Sequence, residues 1–305
     1  MSKLGKIKYF ITGVLPYRGL EKKARKLENA TAEALKEIPP LTGSAPLPAD
    51  VNMLCGKKHL TMGIWSSYSL IRFYPGTALF VHSDGTLDEQ DFALWKSLIP
   101  SATLISKKKR QRDSKDNLPE NCTGIRKWYE KHLYAPKLID FHTYGESKLI
   151  ISLDSDVLTF KKPTAFEQSL NATTPNFVYH KDTNNSYTST IQNIEKATGH
   201  QIPSNVNTGF MSSKRWTQED ILALDEIIDK LSESGIRTDH FWAEQTLYAI
   251  STALHHDSNL LPSDYDVYFG RHNESCTIRH YVGVPKVRPR FMTEGVPTLL
   301  NLLKK

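Results

Sequence analysis

The sequence has few cysteines, no long hydrophobic run and no strong excess of charge of either sign. Its three cysteines are Cys55, Cys122 and Cys276. An odd number without metal-like spacing predicts free thiols in a reducing compartment, and it argues against a disulfide framework or a zinc site. The short apolar patch near the amino terminus is interrupted by Tyr, Thr and Gly, which argues against a signal peptide or a membrane span. We therefore expect a cytoplasmic protein.

The excess of basic residues is mild. The net charge is +6, from 39 Lys and Arg against 33 Asp and Glu. This balance suits anionic ligands or an anionic lipid surface and is far from a nucleic-acid signature, so no nucleic-acid partner is expected. Much of the excess lies in "KKKRQR" (residues 107–112), and such a run predicts a solvated loop.

Prolines are concentrated in residues 38–50, where four of them and a Gly-Ser pair mark a linker. The linker follows a charged segment, residues 17–37, with the composition of a helix. We expect residues 1–50 to form an extension, residues 51–290 the main domain and residues 291–305 a helical tail. We expect this tail to pack onto the domain, and the alternative is that it makes peripheral contact with an anionic membrane.

Short apolar segments alternate with helical patterns after the linker. Strands are predicted over residues 51–56, 77–85, 102–107 and 148–156, and helices over residues 57–75, 86–100 and 123–144, the last with a break at Pro136. This order predicts an α/β fold, a single Rossmann-like domain with a mostly parallel central sheet and helices on both faces. In such sheets, ligands bind beyond the carboxyl ends of the strands.

The segment "KLIISLDSDVLTF" (residues 148–160) places two carboxylates, Asp154 and Asp156, at the end of an apolar strand. Residues two apart in extended backbone point the same way, so both side chains can converge on one point beyond the sheet. Two such carboxylates repel each other unless a proton or a cation lies between them. Oxygen ligands suit Mn²⁺ or Mg²⁺. A solvated loop or two helix caps is the alternative, and the strand before the pair favours the metal site.

A second candidate stretch is "IRHYVGVPKVRP" (residues 278–289). His280 offers a nitrogen ligand that Mn²⁺ accepts. Gly283 would let the backbone approach a ligand closely, and Lys286 supplies a positive charge suited to a pyrophosphate. By itself, the stretch is also compatible with a core histidine, a turn glycine and a surface lysine.

Together, "LDSDVL" and the later His-Tyr-x-Gly-x-x-Lys resemble motifs of nucleotide-sugar glycosyltransferases of the type A fold. The resemblance is closest to the retaining glycogenin and lipopolysaccharide galactosyltransferase family. It implies that Asp154, Asp156 and His280 hold Mn²⁺ or Mg²⁺ on the nucleotide diphosphate, with Gly283 and Lys286 at the phosphates. It covers residues 51–289, and three further segments agree with it. The residues that they imply are Lys137 as a nucleotide contact, Asn207, Thr208 and Gly209 at the sugar, and Glu244 and Gln245 on its far side.

The chain departs from the family at three places. Glu244 stands where the family usually has Asp, and Val287 stands where Pro is usual. The first strand is followed by "CGKKH" in place of an acidic nucleoside contact. These differences leave the fold prediction unchanged and leave the base, the sugar and the stereochemistry open.

The resemblance implies transfer of a sugar from a nucleoside diphosphate sugar, with UDP favoured, to a hydroxyl of a glycan, a glycolipid or a small molecule, with retention. Glu244 and Gln245 would face the positive charge that develops at the sugar carbon. An inverting reaction would need a general base, for which Asp239 and Glu244 are candidates. One alternative is a sugar-nucleotide nucleotidyltransferase, which would want a glycine-rich loop after the first strand. Another is a non-catalytic protein that binds nucleotide sugars.

Overall fold

A computed structural model describes residues 3–172, 177–254 and 258–304. Its α-helices are α1 (Lys3–Tyr9), α2 (Arg18–Ala34), α3 (Leu60–Ile71), α4 (Glu89–Leu98), α5 (Lys107–Asn117), α6 (Thr123–Lys131), α7 (Ala135–Leu138), α8 (Asp140–Thr143), α9 (Thr164–Leu170), α10 (Ile191–Thr198), α11 (Gln218–Glu233), α12 (Ala243–Leu254) and α13 (Val296–Leu303). Its strands are β1 (Ala49–Cys55), β2 (Leu79–Ser83), β3 (Ala102–Ile105), β4 (Leu149–Leu153), β5 (Val157–Thr159), β6 (Phe177–Lys181), β7 (Val206–Lys214), β8 (Ser258–Leu260) and β9 (Ile278–His280). Two π-helices, Phe10–Val14 and Phe291–Gly295, precede α2 and α13.

The described strands form a seven-stranded sheet in the order β3-β2-β1-β4-β7-β6-β8, with a separate two-stranded ribbon, β5-β9. The pairs β1–β2, β1–β4, β2–β3 and β6–β8 are parallel. Strand β7 runs antiparallel to both of its neighbours. The predicted α/β fold with a mostly parallel sheet is confirmed.

Two hydrophobic cores lie on the two faces of this sheet. Because successive strand residues point to opposite faces, β7 contributes Phe210 to one core and Met211 to the other. The first core packs β1 and β4 against α3 and α13, with Trp65 fully buried. The second packs α6, α11 and α12, with Leu247 fully buried. Helices therefore cover both faces, as the alternating pattern predicts.

The segment before residue 51 is partly built into the domain. Strand β1 begins at Ala49, so that Asp50 lies in the sheet and its Oδ2 accepts from Arg215 Nη2 at 2.7 Å. The indole Nε1 of Trp65 donates to the backbone oxygen of Thr31 in α2 at 3.0 Å. Leu35, directly after α2, is fully buried. Only the part of the extension before α2 is without buried side chains among its described residues.

The prediction of a solvated loop at residues 107–112 is wrong. These residues begin α5, whose N-cap Ser106 accepts from the backbone N–H of Lys109 at 3.2 Å. Arg110 is buried, and its Nη1 lies 2.7 Å from Asp140 Oδ2. Composition misleads here because most of the run is exposed, while one guanidinium on the inner helix face is neutralised by a carboxylate supplied from α8.

The helical region at residues 123–144 is divided differently from the prediction. Helix α6 ends at Lys131, and Pro136 lies within the first turn of α7. A proline is tolerated there because the first turn has no intrahelical acceptor for its missing N–H. The break therefore precedes the proline.

The three cysteines are free, as predicted, and all three are buried. None of the helices in the described ranges combines the length and the apolar composition that crossing a membrane requires.

Candidate active site

A cleft of about 640 Å³ lies beyond the carboxyl ends of several parallel strands. The residues that directly follow β1, β2, β4 and β6 line it, and they are Gly56, Asp84, Asp154 and Asp182. Because β7 is antiparallel, it begins at this edge and brings Asn207 into the same cleft. A cavity of about 690 Å³ lies at the opposite edge of the sheet, beside Lys148 and Lys214, without a comparable convergence of acidic residues. The cleft is the site that strand topology predicts.

The Asp-Ser-Asp segment forms a turn after β4 and is not extended. The backbone N–H of Asp154 donates to Gly209 O at 2.7 Å, and Tyr281 N–H donates to Asp156 O at 2.8 Å. The hydroxyl of Ser66, from α3, donates to Asp154 O at 2.8 Å. Three parts of the chain thus fix the turn, and the two carboxylates converge because of this turn rather than because of strand periodicity.

The two carboxylates meet His280 in one cluster. Strand β9 pairs with β5 in a register that places His280 opposite Val157, directly after the turn. Its Nε2 lies 3.1 Å from Asp156 Oδ1 and 3.8 Å from Asp154 Oδ2. One ligand atom from each residue lies within 4.8 Å of the others.

Two cations contact the remaining oxygens of the acidic pair. Lys137 Nζ lies 3.0 Å from Asp154 Oδ1, and Arg288 Nη2 lies 2.7 Å from Asp156 Oδ2. The other oxygen of each carboxylate faces His280 Nε2. Around a divalent ion with bonds of about 2.1 Å, neighbouring ligand atoms are about 3 Å apart and opposite ones about 4 Å. The donor set and its spacing fit Mn²⁺ or Mg²⁺.

The orientation of the His280 ring is set by Asn207. His280 Nδ1 lies 2.8 Å from Asn207 Oδ1, which also accepts from Gly209 N–H at 2.9 Å. Asn207 Nδ2 donates to Asp182 Oδ2 at 2.8 Å, which fixes which end of the amide is the oxygen. His280 Nδ1 must therefore carry a proton, and its Nε2 faces the carboxylates, the arrangement that metal-binding histidines commonly have.

Charge controls the protonation of this cluster. Burial raises the pKa of Asp156, but the Arg288 guanidinium and the His280 imidazole outweigh it and hold the pKa well below its usual range. Burial lowers the pKa of His280, and Asp156 and Asp154 more than compensate, so that its pKa is raised. Asp156 is thus kept ionised, as a ligand of a cation must be.

Gly209 is required by the close approach of the His280 ring. A Cβ added to Gly209 would lie 2.3 Å from His280 Cε1 and 2.4 Å from its Nδ1. No side chain fits there without displacing the ring. Gly283 is different, because a Cβ there would meet only Arg288 Nη2, at 3.3 Å.

Lys137 joins the acidic pair to the predicted sugar-side residues. It is buried, and its Nζ lies 3.4 Å from Glu244 Oε1 and 3.4 Å from Thr208 O. Glu244 Oε2 accepts from Thr208 Oγ1 at 3.1 Å, and Gln245 Oε1 accepts from Thr208 N–H at 3.4 Å. Burial alone would lower the pKa of Lys137, but Asp154 and Glu244 outweigh it, so the pKa lies above its usual value. Burial raises the pKa of Glu244 despite the lysine.

Lys286 and Asp239, both predicted for the site, do not line the cleft. The Nζ of Lys286 lies over the ring of Phe269, 4.1 Å from the centroid, and that ring lines the cleft. Asp239 is exposed, pairs with Arg237 Nε at 2.8 Å and lines a smaller separate cavity of about 240 Å³. The predicted residues that line the cleft are Lys137, Asp154, Asp156, Asn207, Gln245, His280 and Gly283. Thr208, Gly209 and Glu244 do not line it, and they contact Lys137 or Asn207, which do.

Sequence reasoning missed Arg288, the cation that contacts Asp156. Its backbone N–H donates to Val284 O at 3.0 Å, and its Nε donates to Tyr281 O at 3.1 Å, so the chain folds back and aims the guanidinium at the turn. The only signal in the sequence is a second basic residue two positions after Lys286.

The mouth of the cleft carries exposed apolar side chains. Leu133 is 72% exposed, Phe241 is 58% exposed and Trp242 is 38% exposed, and all three line the cleft. The rings of Phe241 and Trp242 lie 5.0 Å apart between centroids. Both precede Glu244 by only a few residues, and Gln245 lines the same cleft, so the aromatic pair lies near the residues predicted to face the sugar.

No protein-family model and no curated protein matches the sequence. The fold does match solved glycosyltransferases. Mouse xyloside xylosyltransferase 1 aligns with a TM-score of 0.52 and 13% identity over 76% of this chain and 96% of its own. The bifunctional glycosyltransferase WbbM aligns with a TM-score of 0.51 and 12% identity over 88% of this chain and 52% of its own. The chain therefore has the fold of type A glycosyltransferases, which confirms the predicted resemblance at the level of the fold.

Proposed function

We propose that the protein is a metal-dependent glycosyltransferase that takes a sugar from a nucleoside diphosphate sugar, UDP-sugar first among them. The observation that carries the proposal is the convergence of Asp154, Asp156 and His280 in the cleft of a fold that glycosyltransferases use. The buried free cysteines also agree with a reducing, cytoplasmic compartment.

Each residue of the cluster would have a defined task in this reaction. Asp154, Asp156 and His280 would hold Mn²⁺ or Mg²⁺, and the bound ion supplies Lewis-acid stabilisation of the leaving diphosphate. Arg288 adds a guanidinium at the same place, suited to phosphate oxygens. This makes Arg288, rather than Lys286, the protein cation at the diphosphate.

Retention is the proposed stereochemical outcome, because neither carboxylate that the sequence offers as a general base is free in the cleft. An inverting reaction needs a carboxylate free to take the acceptor proton. Asp239 pairs with Arg237 outside the cleft, and Glu244 is bound by Lys137 and Thr208. In a retaining reaction the acceptor proton can pass to the leaving diphosphate, so no separate base is required.

The nucleotidyltransferase alternative gains no support from the segment after β1. Lys57 is exposed and pairs with Asp88 at 2.6 Å and Asp91 at 3.3 Å, residues at the start of α4. Of this segment, Gly56 and His59 line the cleft and the lysines do not. A non-catalytic binding protein is disfavoured because the cation-binding residues are all present together.

The acceptor is proposed to be a sugar that stacks on Phe241 and Trp242. The apolar face of a sugar ring packs well on an aromatic ring, and exposed aromatic side chains at the mouth of a cleft have no role in the core. We expect Trp242→Ala to raise the acceptor KM about tenfold with little change in donor hydrolysis, since the donor site is untouched. Steady-state kinetics with free methyl glycosides as acceptors would measure this. Exposed Leu222→Ala, on α11, is the matched control, and an unchanged KM in Trp242→Ala would contradict the proposal.

Calorimetric titration with UDP tests the function itself. We expect UDP to bind in the presence of Mn²⁺ and to bind far more weakly when a chelator removes the ion, because the diphosphate is held through it. Asp156→Ala should bind UDP equally weakly with and without Mn²⁺. Asp239→Ala removes a carboxylate outside the cleft and should behave as the wild type.

Failure of wild-type UDP binding in both conditions would reject the UDP-sugar donor. GDP and nucleoside triphosphates would then be titrated in the same way. Tight binding of a nucleoside triphosphate with Mg²⁺ would favour the nucleotidyltransferase alternative.

A further inference from the structure

Positive charge is strongly segregated in this chain. Residues 3–26 contain eight lysines and arginines and one acidic residue, Glu21. The rest of the chain contains 31 lysines and arginines against 32 acidic residues. The whole net positive charge of the protein therefore lies in this one segment, and Glu21 is itself paired with Arg25 at 2.7 Å.

The same segment exposes large apolar side chains. Between residues 7 and 15, five of them are exposed by 43–54%, and they are Ile7, Tyr9, Phe10, Ile11 and Leu15. Elsewhere in the described chain, exposed side chains of this kind are scattered or lie at the cleft mouth. No described residue from 5 to 20 is buried. An apolar surface of this density on a monomer marks an interaction site.

The apolar and basic residues are arranged on a helix. Ile7, Phe10 and Ile11 are spaced i, i+3 and i+4 and share one face of α1 and the following π-helix. Lys6 and Lys8 lie about 100° to either side of Ile7 around the helix axis. An apolar stripe with a lysine on either side is the pattern of a helix that lies in a membrane interface.

The segment is held to the domain by its far end. Helix α2 buries Ala24 and Thr31 against the domain, and Thr31 Oγ1 contacts Met292 Sδ at 3.3 Å. The guanidinium of Arg18 lies over the Phe10 ring, 5.0 Å from its centroid. The described residues before α2 therefore continue from a helix that is docked on the domain, and none of residues 5–17 is buried.

We propose that residues 3–26 bind the protein to the surface of a membrane that contains anionic lipids. The lysines and arginines are attracted to the negative headgroups, and this attraction decays within a Debye length of the membrane surface. The apolar stripe enters the headgroup–acyl boundary. A nucleic acid would use the charge but leave the stripe exposed, and a second copy would bring two segments of the same sign together. The site lies at the amino-terminal segment and not at residues 291–305, for which a membrane contact was an alternative.

The test is co-sedimentation of the full chain with lipid vesicles. The wild type is expected to sediment with phosphatidylcholine vesicles that contain about 30% phosphatidylserine, and much less with phosphatidylcholine alone. Ile7→Asp/Ile11→Asp and Lys6→Glu/Lys8→Glu should each weaken binding at least about tenfold. Thermal unfolding should be unchanged in both, because these side chains are exposed.

Two matched controls test whether net charge or exposed hydrophobic residues elsewhere in the protein account for vesicle binding. Lys107→Glu/Lys108→Glu, on exposed positions of α5, makes the same change in net charge. Leu222→Asp, on α11, removes an exposed large hydrophobic residue. Both should bind vesicles as the wild type does.

Three results would overturn the proposal. One is a wild type that stays in the supernatant with anionic vesicles, and another is an equal loss of binding in the controls. The third is that residues 3–26 bind something other than a membrane. This would be a DNA duplex whose binding depends on the lysines but not on the isoleucines, or a second copy of the chain in a dimer that Ile7→Asp/Ile11→Asp converts to a monomer. Vesicle binding is measured without donor or acceptor. A negative result would therefore reject the membrane proposal without bearing on the proposed glycosyl transfer.

Discussion

Replacing Lys137 with methionine is expected to lower the free energy of unfolding by about 3–5 kcal/mol and turnover by about three orders of magnitude. The lysine is buried between Asp154 and Glu244, at 3.0 and 3.4 Å. Without it, two carboxylates remain near each other with one cation fewer, and Glu244 stays buried without its counter-ion. The same change removes the positive charge that helps position the acidic pair, so activity falls more than stability explains.

The stability effect is measured by urea unfolding and the activity by initial rates at saturating donor. Lys148→Met, at an exposed position away from the cleft, is the control and should be close to neutral. Lys137→Met/Glu244→Gln should recover part of the lost stability, since the uncompensated charge is then gone. A single Lys137→Met variant as stable as the Lys148 control would show that the buried ion pairs do not act as described.

Gly209→Ala is expected to weaken metal-dependent UDP binding about 10- to 100-fold and to destabilise the protein by about 1–3 kcal/mol. The added methyl group would lie 2.3 Å from His280 Cε1, so the ring must move away from its position beside the carboxylates. A displaced ring also loses the hydrogen bond of its Nδ1 to Asn207 Oδ1. One methyl group would thus disturb both a ligand and the group that orients it.

Calorimetry with UDP and Mn²⁺ measures the effect, and Gly283→Ala is the matched control. Gly283 is also in the cleft, but its added Cβ would meet only the end of the Arg288 side chain at 3.3 Å. We expect it to be well tolerated. Equal affinities in the two variants would mean that the His280 ring does not need the space that Gly209 leaves.

The fold was largely predictable because its signals are local. Apolar segments ended by Asp or Gly identify β1, β2 and β4, and helical patterns after the first two identify α3 and α4. The antiparallel insertion of β7 between β4 and β6 is decided by long-range pairing, which no local pattern records. Helix α5 was missed for a related reason, since the partner of Arg110 is a carboxylate from a different helix.

The candidate site was predictable where a motif fixes geometry and not where a loop does. Asp154, Asp156 and His280 meet as the resemblance implies. Lys286 and Arg288 are chemically similar in the sequence, and the turn made by Arg288 N–H to Val284 O decides which of them faces the acidic pair. Such a choice depends on backbone torsions that residue types alone leave open.

The pairing of β5 with β9 also has a consequence for how the protein is made. The Asp-Ser-Asp turn leaves the ribosome long before Ile278–His280 is translated, and β5 has no partner in the ribbon until then. At about 5–20 residues per second, the interval is on the order of ten seconds. During it, the nascent chain has two neighbouring carboxylates but neither His280 nor Arg288. A ribosome-bound chain therefore lacks His280 and Arg288, two residues of the candidate cation site, until translation of the domain is nearly finished.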